Sequence, residues 1–282
     1  MSVPSSLKVG PNTTLILAKK RYFIFYIFLI WISIFSIQFE FWLFWKLYEP
    51  KFIHFLLFLP FLVFIMYLTG ISISIIFAKI ILVIVNLLHK PREGIFLRHP
   101  SDKDYRYWSL RSTIKKWPIW LSHKFPFPFM DNICSKMFGV KTVYSNSLFE
   151  GWVDTEFIEF GKNVVVGQGA VVQSAVIAGN LFIIRKTIIE DNVMIGSQSV
   201  VMPGTHIKKN SILGGHSMTT IGQVLEEEWI YLGAPAKKFK KNVFFEEGLE
   251  SIIERQIEGE LVSDLKYEDL YTMRKDKQNE IV

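Results

Sequence analysis

The chain has 282 residues, half of them hydrophobic and 25 of them Phe, with a formal net charge of +6 and a mean hydropathy of +0.27. That hydropathy is unusual for a soluble enzyme, and the apolar excess is local rather than spread along the chain. One cysteine, Cys134, excludes an internal disulfide and agrees with a reducing compartment. With no His or other base beside it, Cys134 reads as a packed small hydrophobe and not as a nucleophile.

Residues 1–21 form an N-terminal tail that ends in Lys19, Lys20 and Arg21. Apolar residues then run from Tyr22 to Phe39, and on to Trp45 across Gln38 and Glu40. A bilayer core needs about 20 such residues as helix, so one span is expected at about 22–45. Phe52 to Leu88 is nearly twice a span and carries Pro60, Gly70 and Lys79. A second span is expected at about 53–77, continuing past Lys79 as an interfacial helix, so that 22–90 is a transmembrane hairpin. A cleaved signal peptide is excluded because the first run is too long and a second follows at once. Basic residues flank the outer ends of both runs, while the KLYEPK turn is balanced by Glu49. The positive-inside rule therefore puts both termini and everything after residue 90 in the cytoplasm of a multi-pass cell-membrane protein.

The juxtamembrane segment 91–145 is basic and aromatic. Between Lys90 and Lys124 nine Lys or Arg stand against three Asp or Glu, interleaved with Tyr105, Tyr107, Trp108, Trp117 and Trp120. Such a mixture beside a span is an expected lipid-facing belt, with membrane lipid as the partner rather than nucleic acid. The prolines of KFPFPFM (124–130) forbid a continuous helix there.

From residue 146 to 240 the pattern changes to a beat of six. Ile189, Ile195, Val201, Ile207 and Leu213 each open a unit, and the fifth places hold Val193, Ser199, Thr205, Ser211 and Ser217. Phe160, Val166 and Val172 join the beat, with Val164, Ala170 and Val176 in their fifth places. Six fits neither a helix nor a two-faced strand; it fits a parallel coil whose flat sides are short strands. Val172 to Ile189 is one residue short of three units, so the register slips between Ser174 and Lys186, where a loop is expected to protrude. Residues 241–282 are a polar tail, with a short amphipathic helix expected in GLESIIERQIEGE (248–260) and disorder in the last dozen residues.

These units, and Tyr231-Leu-Gly-Ala-Pro-Ala-Lys237 after them, resemble the hexapeptide-repeat acyltransferases of the LpxA-like superfamily. The resemblance implies a mainly β fold, a left-handed parallel β-helix behind the transmembrane hairpin. The left hand comes from the resemblance alone, since sheet physics favours right-handed crossovers. The order of hairpin, REGIFLRHPSDKDYRYWSLR and a β-helix after Ser147-Leu-Phe-Glu-Gly-Trp-Val-Asp154 is also similar to the membrane-bound modules of poly-lysine-synthetase-type peptide synthetases. Those modules occur in tandem and follow adenylation and carrier domains, neither of which is present here. The implied assembly is a homotrimer, in which three copies stand in for the tandem modules. The same resemblance offers a peptide synthetase or carrier protein as a further partner.

The resemblance further implies an acyl-CoA or another pantetheine thioester as donor, bound between coils, and a His that takes the proton from an attacking amine or hydroxyl. Of six His, only His206 and His216 lie on the coil; His216 is the expected base, although a solvent-facing turn explains it equally well and explains His206 better. In the synthetase modules the protruding turn often carries a His before Leu-Phe. Here Asn180 stands at that place, able to bind an amide or an oxyanion but not to act as a base. Lys237 and Lys238 would lie near the carrier phosphate, and Gly196 and Gly214 would let the backbone approach the donor at corners. Arg185 and Lys186 read first as solvated corner residues. No metal is expected, because zinc hydration in this superfamily needs three histidines from adjacent subunits. The alternative reading is a catalytically degenerate trimeric scaffold for a membrane assembly.

Overall fold

The computed structural model of this protein describes residues 18–49, 51–125, 127, 129–148 and 151–243. The expected C-terminal helix and disordered end lie outside the described residues, as does most of the N-terminal tail.

The two apolar runs fold as α1 (Phe23–Tyr48) and α2 (Phe52–Leu88), both long and apolar enough to cross a membrane. At 1.5 Å per residue the 37 residues of α2 extend about 56 Å, nearly twice a bilayer core. The helices touch where Gly70 leaves room: a Cβ there would stand 2.9 Å from Ile37 Cδ1. α2 runs unbroken from Phe52 to Leu88, through the residues expected as span and those expected as its interfacial continuation. Lys79 is accommodated by donating from Nζ to Met137 O at 2.6 Å, a carbonyl in the last turn of another helix, where such groups lack intrahelical partners.

The juxtamembrane segment is more than a surface belt. It forms β1 (Gly94–Leu97), α3 (Lys103–Ser122) and α4 (Phe129–Phe138), with the break between the helices at the Pro-rich stretch. Asp102 caps α3 by accepting from Tyr105 N. Arg111 and Lys115, counted in the sequence among the lipid-facing cations, are instead 2% and 4% exposed. They turn towards the coil because Glu156 offers a carboxylate there: Arg111 Nε and Lys115 Nζ donate to its Oε1 at 2.8 and 2.7 Å.

The coil is three parallel sheets. One face stacks β3 (Ile158–Phe160), β8 (Thr187–Ile189), β11 (His206–Ile207) and β13 (Val224–Leu225). The second stacks β4 (Val165–Val166), β9 (Met194–Ile195), β12 (Ile212–Leu213) and β14 (Trp229–Leu232). The third stacks β2 (Trp152–Val153), β5 (Val171–Val172) and β10 (Val200–Val201). Ile189 pairs with Ile207 and Ile207 with Leu225, each 18 positions on, so one turn of the coil is three six-residue units. Winding begins at the bridge from Lys141 to Glu159, a few residues before the expected start at 146. At the far end β15 (Lys237–Lys241) folds back antiparallel on β14.

The aliphatic beat points inward, with Ile189, Ile195, Val201, Ile207 and Leu213 no more than 2% exposed. Ser199, Thr205 and Ser211 are wholly buried, because the corners admit only slim side chains. Their hydroxyls are satisfied across the coil: Ser199 Oγ donates to Gly214 O and Ser211 Oγ to Glu226 O. The register slip also has a physical form. Val172 pairs with Val201, 29 positions on, an excess of 11 over one turn. The excess is an antiparallel hairpin of β6 (Ala175–Ala178) and β7 (Leu181–Ile184), so the gap holds one unit plus an insertion. β7 pairs with β1, and Phe182 packs under Trp108 and Tyr105 of α3, with ring centroids 4.4 and 5.5 Å apart.

Candidate active site

His216 sits on the turn after β12, at the corner between the second and third faces. Its backbone is in the left-handed region (φ 55°), its N–H donates to Ser197 O at 2.9 Å, and its exposed ring has no hydrogen-bond partner among the described residues. Gly196 and Gly214 stack at the same corner, one turn apart. A Cβ on Gly196 would lie 2.4 Å from Gly215 N, and one on Gly214 would lie 2.1 Å from Leu232 Cδ2. Gly196 is therefore demanded by the backbone of the next turn, whatever else approaches that corner, whereas at Gly214 the obstacle is the end of a side chain that can move. Lys237 and Lys238 are exposed on β15, and Lys238 Nζ lies 4.8 Å over the Trp229 ring.

Asn180 occupies the tip of the β6–β7 hairpin, exposed, with its carbonyl accepting from Arg98 N at 2.8 Å. The hairpin leaves the coil between the third and first faces, a different corner from that of His216. Within one chain the structure gathers His216, Gly196 and Gly214, and leaves Asn180 apart.

Sequence reasoning passed over the more organised histidine. His206 lies on the outer side of β11, and its Nε2 is 2.6 Å from Glu190 Oε1. Glu190 is itself anchored, its Oε2 accepting from Lys209 N at 3.0 Å. Both side chains are about a third exposed. A carboxylate so placed fixes the imidazole ring, and an Nε2–H given to Glu190 leaves the Nδ1 lone pair facing outward as a base. The pair was legible once the turn length is known. Ile188 pairs with His206, so Glu190, two residues on and just past the end of β8, is a diagonal neighbour.

Cys134 is buried, and burial pushes its thiol up to about 12, which removes it as a nucleophile. Among the described residues no three His, Cys, Asp or Glu side chains are grouped to hold a metal ion.

Comparison with known proteins bears on the coil. Residues 186–220 match the family described as bacterial transferase hexapeptide (six repeats). This segment is a hexapeptide repeat. No curated protein sequence matches the chain. Among solved structures, a mutant of AntD, an N-acyltransferase from Bacillus cereus in complex with dTDP-4-amino-4,6-dideoxyglucose and coenzyme A, is 21% identical, with a TM-score of 0.29. That match covers 36% of this chain and 58% of AntD, little more than half of its length. A maltose O-acetyltransferase from Clostridium difficile 630 is 16% identical over 43% of this chain and 81% of that one, with a TM-score of 0.34. A hexapeptide-repeat acetyltransferase from Vibrio cholerae, complexed with acetyl coenzyme A, is 12% identical over 42% and 80%, with a TM-score of 0.33.

Proposed function

We propose that this protein is a membrane-anchored acyltransferase, its coil wound left-handed, that passes an acyl group from a pantetheine thioester such as acyl-CoA to an amine or hydroxyl. The observation that carries the reading is the hexapeptide-repeat segment 186–220, set as a three-sided parallel coil with two outward imidazoles. In the proposed reaction a His takes the proton of the attacking amine or hydroxyl. The nucleophile bonds to the thioester carbonyl, the C–S bond breaks, and the imidazolium returns the proton to the departing thiolate.

Two bases fit. His216 shares its corner with the close turn-to-turn contact of Gly196 and Gly214, and its ring is free to meet substrate. His206 is already oriented by Glu190. Lys237 and Lys238 supply point charges for the donor's phosphates, and Asn180 supplies an amide to the acceptor from a neighbouring copy in a homotrimer. α1 and α2 hold the assembly in the membrane, with the coil in the cytoplasm beside any carrier protein or synthetase it serves.

Release of free thiol from acyl-CoA, followed for His216→Ala and His206→Ala in turn, tests the assignment. A fall of about a hundredfold or more in kcat for one variant names the base; full turnover in both would clear the coil imidazoles of the role. A second reading, a non-catalytic scaffold, is favoured by the separation of Asn180 from His216 within the chain. It predicts no thiol release by the unaltered protein.

A further inference from the structure

A cleft of about 470 Å³ opens where the end of α2 meets the first turns of the coil, a volume in the range of small-molecule sites. Its floor is cationic. Glu156 is shared by Arg111 and Lys115, and Glu159 by Lys141 and Lys186, so each carboxylate faces two positive charges. Lys79 lines the cleft as a fifth cation and Glu93 as a third acid, which leaves an excess of two positive charges. Asp154, close to Lys115, lies outside the lining of the cleft, its carboxyl engaged by the backbone N–H groups of Ser174 and Ala175.

Beside Lys79, the wall contributed by α2 is apolar. Leu82 and Val83 of α2 line it, and Val83 belongs to a stripe of exposed Ile76, Ile80, Val83 and Leu87. Those spacings of four, three and four put the stripe on one side of the helix, and Val83 joins it to the lining of the cleft. Asn86 Oδ1 is buried at the cleft wall with no hydrogen-bond partner, an acceptor that a hydroxyl would satisfy. A charged floor, an apolar track and an unfilled acceptor together describe an amphiphile.

We propose that this cleft binds the anionic, hydroxyl-bearing headgroup of a membrane amphiphile, with its acyl chain along the Ile76–Leu87 stripe of α2. The site does not depend on the acyl-transfer reading; it depends on α1 and α2 being membrane-embedded. Lys115 bears on the ligand's sign. Burial lowers its affinity for a proton while Glu156 raises it, and a bound anion would act in the same sense as Glu156.

The test titrates the full chain in neutral detergent with dihexanoyl phosphatidylglycerol, dihexanoyl phosphatidylcholine and inorganic phosphate, followed by calorimetry. Saturable binding of the phosphatidylglycerol alone is expected, weakened about tenfold by Lys79→Ala or Lys141→Ala through loss of one charge-assisted contact. Lys141 is 75% exposed in its side chain, so its variant should keep its unfolding temperature. Lys209→Ala, outside the cleft, should leave binding unchanged. Equal binding of phosphatidylcholine, equal loss in Lys209→Ala, or no saturable binding would overturn the site. Inorganic phosphate binding as tightly as the lipid would make it a free-anion site and overturn the amphiphile. Alkaline carbonate extraction separates the premise: a chain that stays in the membrane yet binds no headgroup refutes the cleft alone. A chain released by carbonate refutes the membrane source.

Discussion

Glu156 is the residue on which the joint between α3 and the coil turns. Burial alone would raise its carboxyl, but Lys115 and Arg111 outweigh that and hold it down to about 2 from 4.5. A depressed carboxylate contributes stability above its unfolded pKa and loses it as pH falls, so this contribution should be nearly complete above about pH 5 and vanish only as pH falls below about 2. Glu156→Gln removes one partner and leaves two buried cations without their shared carboxylate, at a cost of about 3–5 kcal/mol. Thermal unfolding at pH 7 should show the full loss, and the variant and the parent should converge only as pH falls below about 2. None of this was visible in the sequence, where Arg111 and Lys115 are simply two cations among nine. A single chain read for local pattern cannot pair residues 41 and 45 positions apart.

At the scale of elements the coil was the most legible part, because its period is written in residues that all do one thing. Ile207 and Leu213 point inward for the same reason as Ile189, and a fixed spacing reveals them without any partner being known. The hairpin was legible only as a slip: arithmetic located it between Ser174 and Lys186 but could not say that β6 and β7 pair with each other and β7 with β1. Phe182 fixes that hairpin to α3, and truncating it leaves a void beneath Trp108 and Tyr105. Phe182→Ala should cost about 3–5 kcal/mol and speed hydrogen exchange at the β6–β7 amides ahead of those in β9 and β12. A uniform change across the coil would contradict the hairpin's being a separate unit. Gly196 makes a second test. A methyl group there meets the Gly214–Gly215 backbone, which cannot rotate away as a side chain could. Gly196→Ala should therefore lower the unfolding temperature by several degrees, as a loss of about 1–3 kcal/mol would do, while Gly179→Ala tests only the left-handed φ of an open turn.

Over the whole molecule, the helical hairpin and the coil were both readable from composition, and the piece between them was not. Hydropathy marks α1 and α2 because bilayer-length apolar helices need no partner to be recognised. Segment 91–145 looks like a basic aromatic belt because burial of Arg111 and Lys115 depends on a carboxylate supplied by the coil. The candidate site shows the same division. His216 and its corner glycines were found by register, whereas the His206–Glu190 pair needed the 18-residue turn that sets which outward residues are neighbours. The account's central claim, that the coil handles a pantetheine thioester, is tested most directly by calorimetric titration of the detergent-solubilised chain with coenzyme A and with pantetheine. The account predicts saturable binding of both, tighter for coenzyme A, whose phosphates the lysines of β15 would meet. No heat of binding for either ligand, from a protein whose melting shows it folded, would contradict it.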